Sequence, residues 1–358
     1  MTSHYSLSPD SFDYNYAVWL VSNYGEDSLA YLTLEEDKSI FFGSGVQGLI
    51  AYVKIRKVAL CLGHPVCEPN RLKDLLTEFK TFCTARGLKI CFCSINRELA
   101  LQLLDCGFRL SKYGEEALLH LQTYEISGKK TMKLRQKIRR AQKGGINVIE
   151  YRPAHSRNLS LEEEILSVSR EWLGNKRGKL KFTLGDLNFN NPLARRYFAC
   201  TNENARVEAV LTFLPYAGGR GYYLDVMRKR EETIPGVIEK AIIDAAMIMK
   251  DEGVERLSLG MAPLAGIGRD GEEQNLLEKS MRLIYSYMSD GYGFKNLHNY
   301  KKKFSPCSWE SRYLAHEESL PLLIVAYTMI KARNSRVIWK QVLYGVWKKA
   351  GIKIRRFL

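Results

Sequence analysis

Residues 235–263 read PGVIEKAIIDAAMIMKDEGVERLSLGMAP, a helix and a strand in direct succession. Pro235-Gly236 opens the helix and Gly253 stops it, since glycine accepts the backbone geometry that ends a helix. VERLSLGMAP is the strand that follows. Its end is unusual. Pro263 has no N–H for a sheet ladder, and Gly260 and Gly266 leave backbone without a covering side chain. Bare backbone and a proline kink where a strand stops ask for more than a change of direction.

Just upstream, YYLDVMRKREET places a strand end near Leu224, with Asp225 and Arg228 where the strand gives out. In α/β proteins ligands bind at strand ends beside helix N-termini, where free N–H groups face an anion or oxyanion. From pattern alone, a loop salt bridge between Asp225 and Arg228 is the simpler reading.

Strand and helix alternate elsewhere too. LAYLTL, SIFFGS, GLIAYVKI and KVALCLG (residues 29–63) read as strands, and residues 68–87 as a helix with Leu72, Leu75, Leu76, Phe79 and Phe82 at helical spacing. LKICFCSI is a strand, RELALQLLDCG a helix, and FRLSKYGEEALLHL leads into another strand. After residue 145, VIEY is a strand and 160–175 a helix whose first turn carries Glu162, Glu163 and Glu164, suited to the helix dipole. FACTNENARVEAVLTFLPYAGGRGYYLDVMR is hairpin-rich and antiparallel. These features predict an α/β chain of two related units, although no sequence repeat is visible.

Composition bounds the partners. The 358 residues are 46% hydrophobic, enough for two cores, and carry 54 Lys+Arg against 39 Asp+Glu, a formal charge of +15. Such a balance attracts polyanions, whether nucleic acid or an anionic membrane face. Two segments concentrate it. Residues 127–145, SGKKTMKLRQKIRRAQKGG, hold eight basic residues and no acidic one; residues 332–358 repeat that count, with Trp339, Val342, Leu343, Val346 and Trp347 able to share a helical face. The first could grip RNA or membrane through Lys133, Arg135, Lys137, Arg139 and Arg140, or serve as an exposed connector. The second suits a membrane interface or a packed terminal helix equally.

The eight cysteines show no C-x-x-C pair or zinc spacing, and most lie in apolar runs as buried thiols. The first 16 residues have no signal-peptide core, and the longest apolar run, LPLLIVAYTMI (320–330), is about half the roughly 20 residues a spanning helix needs. A cytosolic protein, or one peripheral to a membrane, is expected. No P-loop, G-x-S-x-G or H-E-x-x-H signature is present. YKKKFSPCSWESRYLAH (300–316) interleaves Lys301, Lys302, Lys303, Glu310 and Arg312 with Tyr300, Phe304, Trp309 and Tyr313. That mixture suits a phosphate-bearing, base-stacking ligand such as a tRNA acceptor end, or a solvated lysine run.

Eight phrases in order resemble the C-terminal catalytic domain of the aminoacyl-phosphatidylglycerol synthases, over roughly residues 25–316. They are GLIAYVKIRKVALCLGHPVCEP, FKTFCTARGLKICFCSI, GFRLSKYGEEALLHLQTYEISGKK, LRQKIRRAQKGG, REWLGNKRGKLKFTLG, LDVMRKREETIPGVIEK, LSLGMAPLAGI and FKNLHNYKKKFSPCSWESRYLAH. The resemblance implies two tandem acetyltransferase-like (GNAT) folds: residues 1–126, a connecting basic helix 127–145, a catalytic unit 146–318, and a C-terminal basic segment 319–358. It implies transfer of lysine or alanine from aminoacyl-tRNA, as co-substrate and without cofactor or metal, to the glycerol hydroxyl of phosphatidylglycerol at the inner membrane face.

In that reading Asp225, Arg228, Lys303, Glu310 and Arg312 serve catalysis, and Gly260, Met261, Ala262, Pro263, Trp172 and Tyr300 line the substrate site. Two departures stand out: His64 where the family commonly has Asp in Gly-Asp-Pro, and YSYMSDGYGF with Asp290 one place from the expected acidic position. The family's N-terminal membrane domain, which flips the product lipid, has no counterpart in these residues, so a separate flippase is an expected partner.

Overall fold

The computed structural model describes residues 11–174, 182–267 and 294–333. Among them twelve strands form one sheet: β1 (Ser39–Phe42), β2 (Gly48–Ile55), β3 (Val58–Leu62), β4 (Val66–Cys67), β5 (Lys89–Ile95), β6 (Phe108–His120), β7 (Asn147–Tyr151), β8 (Arg196–Thr201), β9 (Val207–Tyr216), β10 (Gly221–Lys229), β11 (Arg256–Pro263) and β12 (Ser308–Glu317). The helices are α1 (Phe12–Tyr24), α2 (Leu72–Ala85), α3 (Arg97–Asp105), α4 (Met132–Lys143), α5 (Leu159–Gly174), α6 (Val237–Asp251), α7 (Phe294–Lys302) and α8 (Leu322–Arg333). The C-terminal segment beyond residue 333 and the YSYMSDGYGF stretch up to Gly293 lie outside the described residues.

The order across the sheet is β1-β2-β3-β5-β12-β6-β11-β10-β9-β8-β7, with β4 paired to β2. Two similar units are legible in it. In the first, antiparallel strands end at β3, α2 crosses over to the parallel strand β5, and α3 leads to the long strand β6. In the second, antiparallel strands end at β10, α6 crosses to the parallel strand β11, and α7 precedes the long strand β12. The expected pair of acetyltransferase-like α/β units is therefore present. The units exchange their last strands: β12 lies between β5 and β6, and β6 lies between β12 and β11. This exchange makes the sheet continuous.

Burial explains the apolar runs. On β3, Val58, Leu60 and Leu62 join a core under α1 and α8, while Ala59 and Cys61 join another under α2 and α3. On β5, Cys91 and Cys93 face the first core, and Ile90 and Phe92 the second. Strands covered on both faces need no polar alternation. Six cysteines are buried, and Cys106 and Cys307 are exposed. Burial pushes the Cys93 thiol up to about 12.

One local reading differs from expectation. LAYLTL is no strand: Ala30–Leu34 form a buried 3-10 turn, because the Asp27 side chain accepts the Leu29 N–H at 3.1 Å and its carbonyl accepts the Ala30 N–H at 2.9 Å. The polar N-terminal stretch contains α1, capped by the Ser11 hydroxyl accepting from Tyr14 N–H at 3.2 Å. No helix among the described residues is long and apolar enough to cross a membrane.

Candidate functional site

The strand end singled out by the sequence is where the parallel pair of the second unit parts. β10 and β11 pair only from Gly221–Arg256 to Tyr223–Ser258. Beyond that point β10 stays with β9 across a bulge between Leu224 and Met227, and β11 stays with β6 across a bulge between Ser258 and Met261. Gly260 makes the second bulge with φ +80°, and its N–H donates to the Ser258 hydroxyl at 3.0 Å. A cavity of about 240 Å³ opens between the diverging strands. Gly260, Met261 and Pro263 line it; Ala262 is fully buried against β6 instead.

Asp225 and Arg228 line the same cavity from β10. They lie within the strand, not past its end, and they make no loop salt bridge: the Gly185 N–H donates to Asp225 Oδ1 at 2.8 Å, and Arg228 donates to the Ser169 hydroxyl. Asp225 Oδ2 has no hydrogen-bond partner among the described residues. Burial raises the Asp225 pKa above the ordinary aspartate value, with Arg195 and the Gly185 N–H opposing. Burial likewise lowers Arg228, whose guanidinium also sits 5.6 Å over the Trp172 ring.

Lys301, at the end of α7, completes the wall. Its ammonium donates to the Met261 carbonyl at 2.8 Å and is 6% exposed. Burial lowers its pKa to about 7, against the charge of Glu116, which raises it. The cavity therefore holds an amine able to gain and lose a proton near neutrality. The sequence reading placed Lys301 in a basic run but assigned the chemistry to Lys303. The missed signal was the helical register: Lys301 follows Leu297 by four residues, and both line the cavity.

The other expected site residues are distributed elsewhere. Lys303 lies on a second cavity of about 440 Å³ at the start of α6, with Lys137, Lys229, Trp172 and Tyr300. Its ammonium is 4.9 Å from the Tyr300 ring and 3.9 Å from Glu239. Trp172 lines both cavities. Gly236 closes this end at φ +101°, its missing Cβ giving room to the Lys137 backbone of α4.

Arg312 and Glu310 belong to a third cavity, of about 460 Å³, at the carboxyl ends of β3 and β5 with His64, Asn96 and Asp27. Arg312 is 4% exposed and committed to carboxylates: Nη1 donates to Asp27 at 2.7 Å and Nη2 pairs with Glu116. Burial acts against the Asp27 carboxylate, yet Arg312 and His64 hold its pKa below the ordinary value. Glu310 stands 3.9 Å from Arg312 and half exposed. His64 Nε2 accepts from the Asn96 N–H at 3.1 Å, and burial lowers its pKa below the ordinary histidine value.

On α4, Lys133, Arg139 and Arg140 are exposed. Arg135 instead donates to the Ile126 carbonyl at 2.9 Å, and Lys137 pairs with Glu239 at 2.6 Å, which ties α4 to α6.

The family model described as phosphatidylglycerol lysyltransferase, C-terminal, matches residues 19–316. The phosphatidylglycerol lysyltransferase of Bacillus subtilis is 27% identical over 310 residues, covering 86% of this chain and 35% of that protein. The chain thus spans about a third of that relative's length. The structure of L-PGS from Bacillus licheniformis superposes with a TM-score of 0.78 at 25% identity, covering 96% of this chain and 99% of that one. FemX shares the fold at a TM-score of 0.53 and 13% identity, covering 90% and 99%.

Proposed function

Because the chain belongs to the phosphatidylglycerol lysyltransferase C-terminal family, we propose that it transfers an aminoacyl group, lysyl first among candidates, from aminoacyl-tRNA to a hydroxyl of phosphatidylglycerol at a membrane surface. The observation that carries this reading is the pairing, in one cavity, of a lysine poised near neutrality with a buried carboxylate that has an unpartnered oxygen.

The chemistry is ester exchange. The lipid hydroxyl oxygen bonds to the aminoacyl carbonyl carbon as its proton passes to the neutral Lys301 amine. The bond from that carbon to the terminal ribose oxygen then breaks, and Lys301 returns the proton to the leaving oxygen. Both ends are oxygen esters, so the exchange is nearly balanced and needs no added energy source. Positioning and oxyanion stabilisation supply the acceleration. Arg228 is the cation on the cavity wall suited to the developing oxyanion, and Asp225 Oδ2 accepts from the α-ammonium of the aminoacyl group. General base help of this kind contributes about 10²–10⁴-fold.

The donor's polyanionic body is assigned to the exposed cations of α4 and to the cavity at the start of α6, where Lys303, Lys137 and Lys229 cluster with two aromatic rings. The net charge of +15 favours an anionic lipid surface as well. The test is transfer of radiolabelled lysine from charged tRNA into phosphatidylglycerol liposomes by the wild type and by Lys301→Met. Retained transfer by a folded Lys301→Met protein rejects the mechanism.

A further inference from the structure

Glu116 sits on β6, the strand that the first unit contributes to the middle of the sheet, and it is 2% exposed. One carboxylate oxygen accepts from the Ser258 hydroxyl; the other pairs with Arg312 of β12. Ser258 in turn accepts from the Gly260 N–H at 3.0 Å. Arg312 continues to Asp27 at 2.7 Å, and His64 lies 3.6 Å from the same carboxylate. A continuous polar chain thus runs from the third cavity, through the exchanged strands, to the bulge beside Lys301. Glu116 and Gly260 line the cavity holding Lys301, while Arg312 lines the other.

We propose that Glu116 is a positioning residue for the transfer reaction: through Ser258 it fixes the Gly260 turn, and its charge, held in place by Arg312, sets the protonation of Lys301. The second half rests on Lys301 serving as the proton acceptor; the first does not. The charged groups around this cavity are Glu116 on β6, Asp225 and Arg228 on β10 and Arg333 on α8, with the Tyr223 phenol, which burial keeps neutral. Of these, Glu116 is the charge that acts on Lys301. A carboxylate buried with two partners is an expensive arrangement to keep for packing alone. Its partners, one beside each cavity, give it a task.

The sign follows. Removing the negative charge disfavours the ammonium, and the unbalanced Arg312 disfavours it further, so the Lys301 pKa falls. Glu116→Gln is expected to lower the Lys301 titration by about one pH unit, read by NMR on isotope-labelled lysine side chains with the resonance assigned by its loss in Lys301→Met. The acid limb of the pH–rate profile moves down with it. Ser258→Ala removes the hydroxyl that joins Glu116 to Gly260 but keeps the Glu116 charge and its Arg312 pair, and is expected to lower kcat about tenfold with the acid limb unmoved. Glu116→Asp restores the charge and brings the titration back toward the wild-type position, which also controls for folding.

An unchanged Lys301 titration in folded Glu116→Gln, or wild-type kcat in Ser258→Ala, overturns the proposal. Full activity in Lys301→Met is a separate result. It removes the proton-transfer role proposed above, while the NMR shift still decides whether Glu116 governs Lys301.

Discussion

The Lys301 ammonium lies 2.8 Å from the Met261 carbonyl oxygen, 40 residues earlier in the chain, at the bulge where β11 has left β10. This contact brings the last turn of α7 onto the glycine-rich strand end. It brings to that strand end the buried amine proposed above as the proton acceptor.

With the Lys301 pKa lowered to about 7, the neutral amine that accepts a proton forms as pH rises through that value. Transfer activity is therefore expected to climb through an acid limb near pH 7 and level off above it. A pH–rate profile at saturating donor checks this. Lys301→Met is expected to lower kcat by about 10²–10⁴ and to abolish the limb, with liposome binding retained.

Asp225 makes the sharpest isosteric test. Asp225→Asn keeps the shape that packs against Gly185 but removes the carboxylate, so its thermal unfolding should stay near wild type while turnover falls about 100-fold. Asp225→Ala is the wrong probe for chemistry, since it leaves the buried Gly185 N–H without its acceptor. Equal turnover of Asp225→Asn and wild type excludes a role for the charge.

Arg312 is placed to hold the molecule together. Arg312→Met strands the buried carboxylates of Asp27 and Glu116, at a cost of about 3–5 kcal/mol. Chemical denaturation should show this loss directly. Wild-type stability with lost activity would return Arg312 to the catalytic role that the family resemblance implied.

The exposed cations of α4 report on polyanion binding. Reversing Lys133, Arg139 and Arg140 to glutamate should weaken tRNA binding and flatten the slope of log K against log salt by about 2, near 0.7 for each lost phosphate contact. Unfolding temperature should barely change, since these side chains are exposed. An unaltered salt slope would leave α4 as a connector.

Much of the fold was legible because the apolar runs are local statements. KICFCSI and GLIAYVKI are strands buried on both faces, and PGVIEKAIIDAAMIMKDEG carries its own start and stop. LAYLTL misled because Asp27, two residues upstream, closes a turn that no apolar count registers. The site was half legible. Asp225, Arg228 and the Gly260 bulge do meet at one cavity, as strand-end reasoning suggested. Arg312, Glu310 and Lys303 looked like their neighbours because they share a short segment with Lys301. Alternation along β12 and the turn after α7 send them to different cavities. Glu116 was invisible for the opposite reason: its partners Ser258 and Arg312 are 142 and 196 residues away, joined only by the exchange of strands.

The most direct test of the central claim mixes purified protein with phosphatidylglycerol liposomes, tRNA charged with radiolabelled lysine, and a parallel sample whose tRNA has been digested with RNase before addition. The account predicts label in the lipid phase from the intact sample and none from the digested one. No label in lipid from a folded protein that binds both liposomes and charged tRNA, with each of the other amino acids also failing, would contradict it.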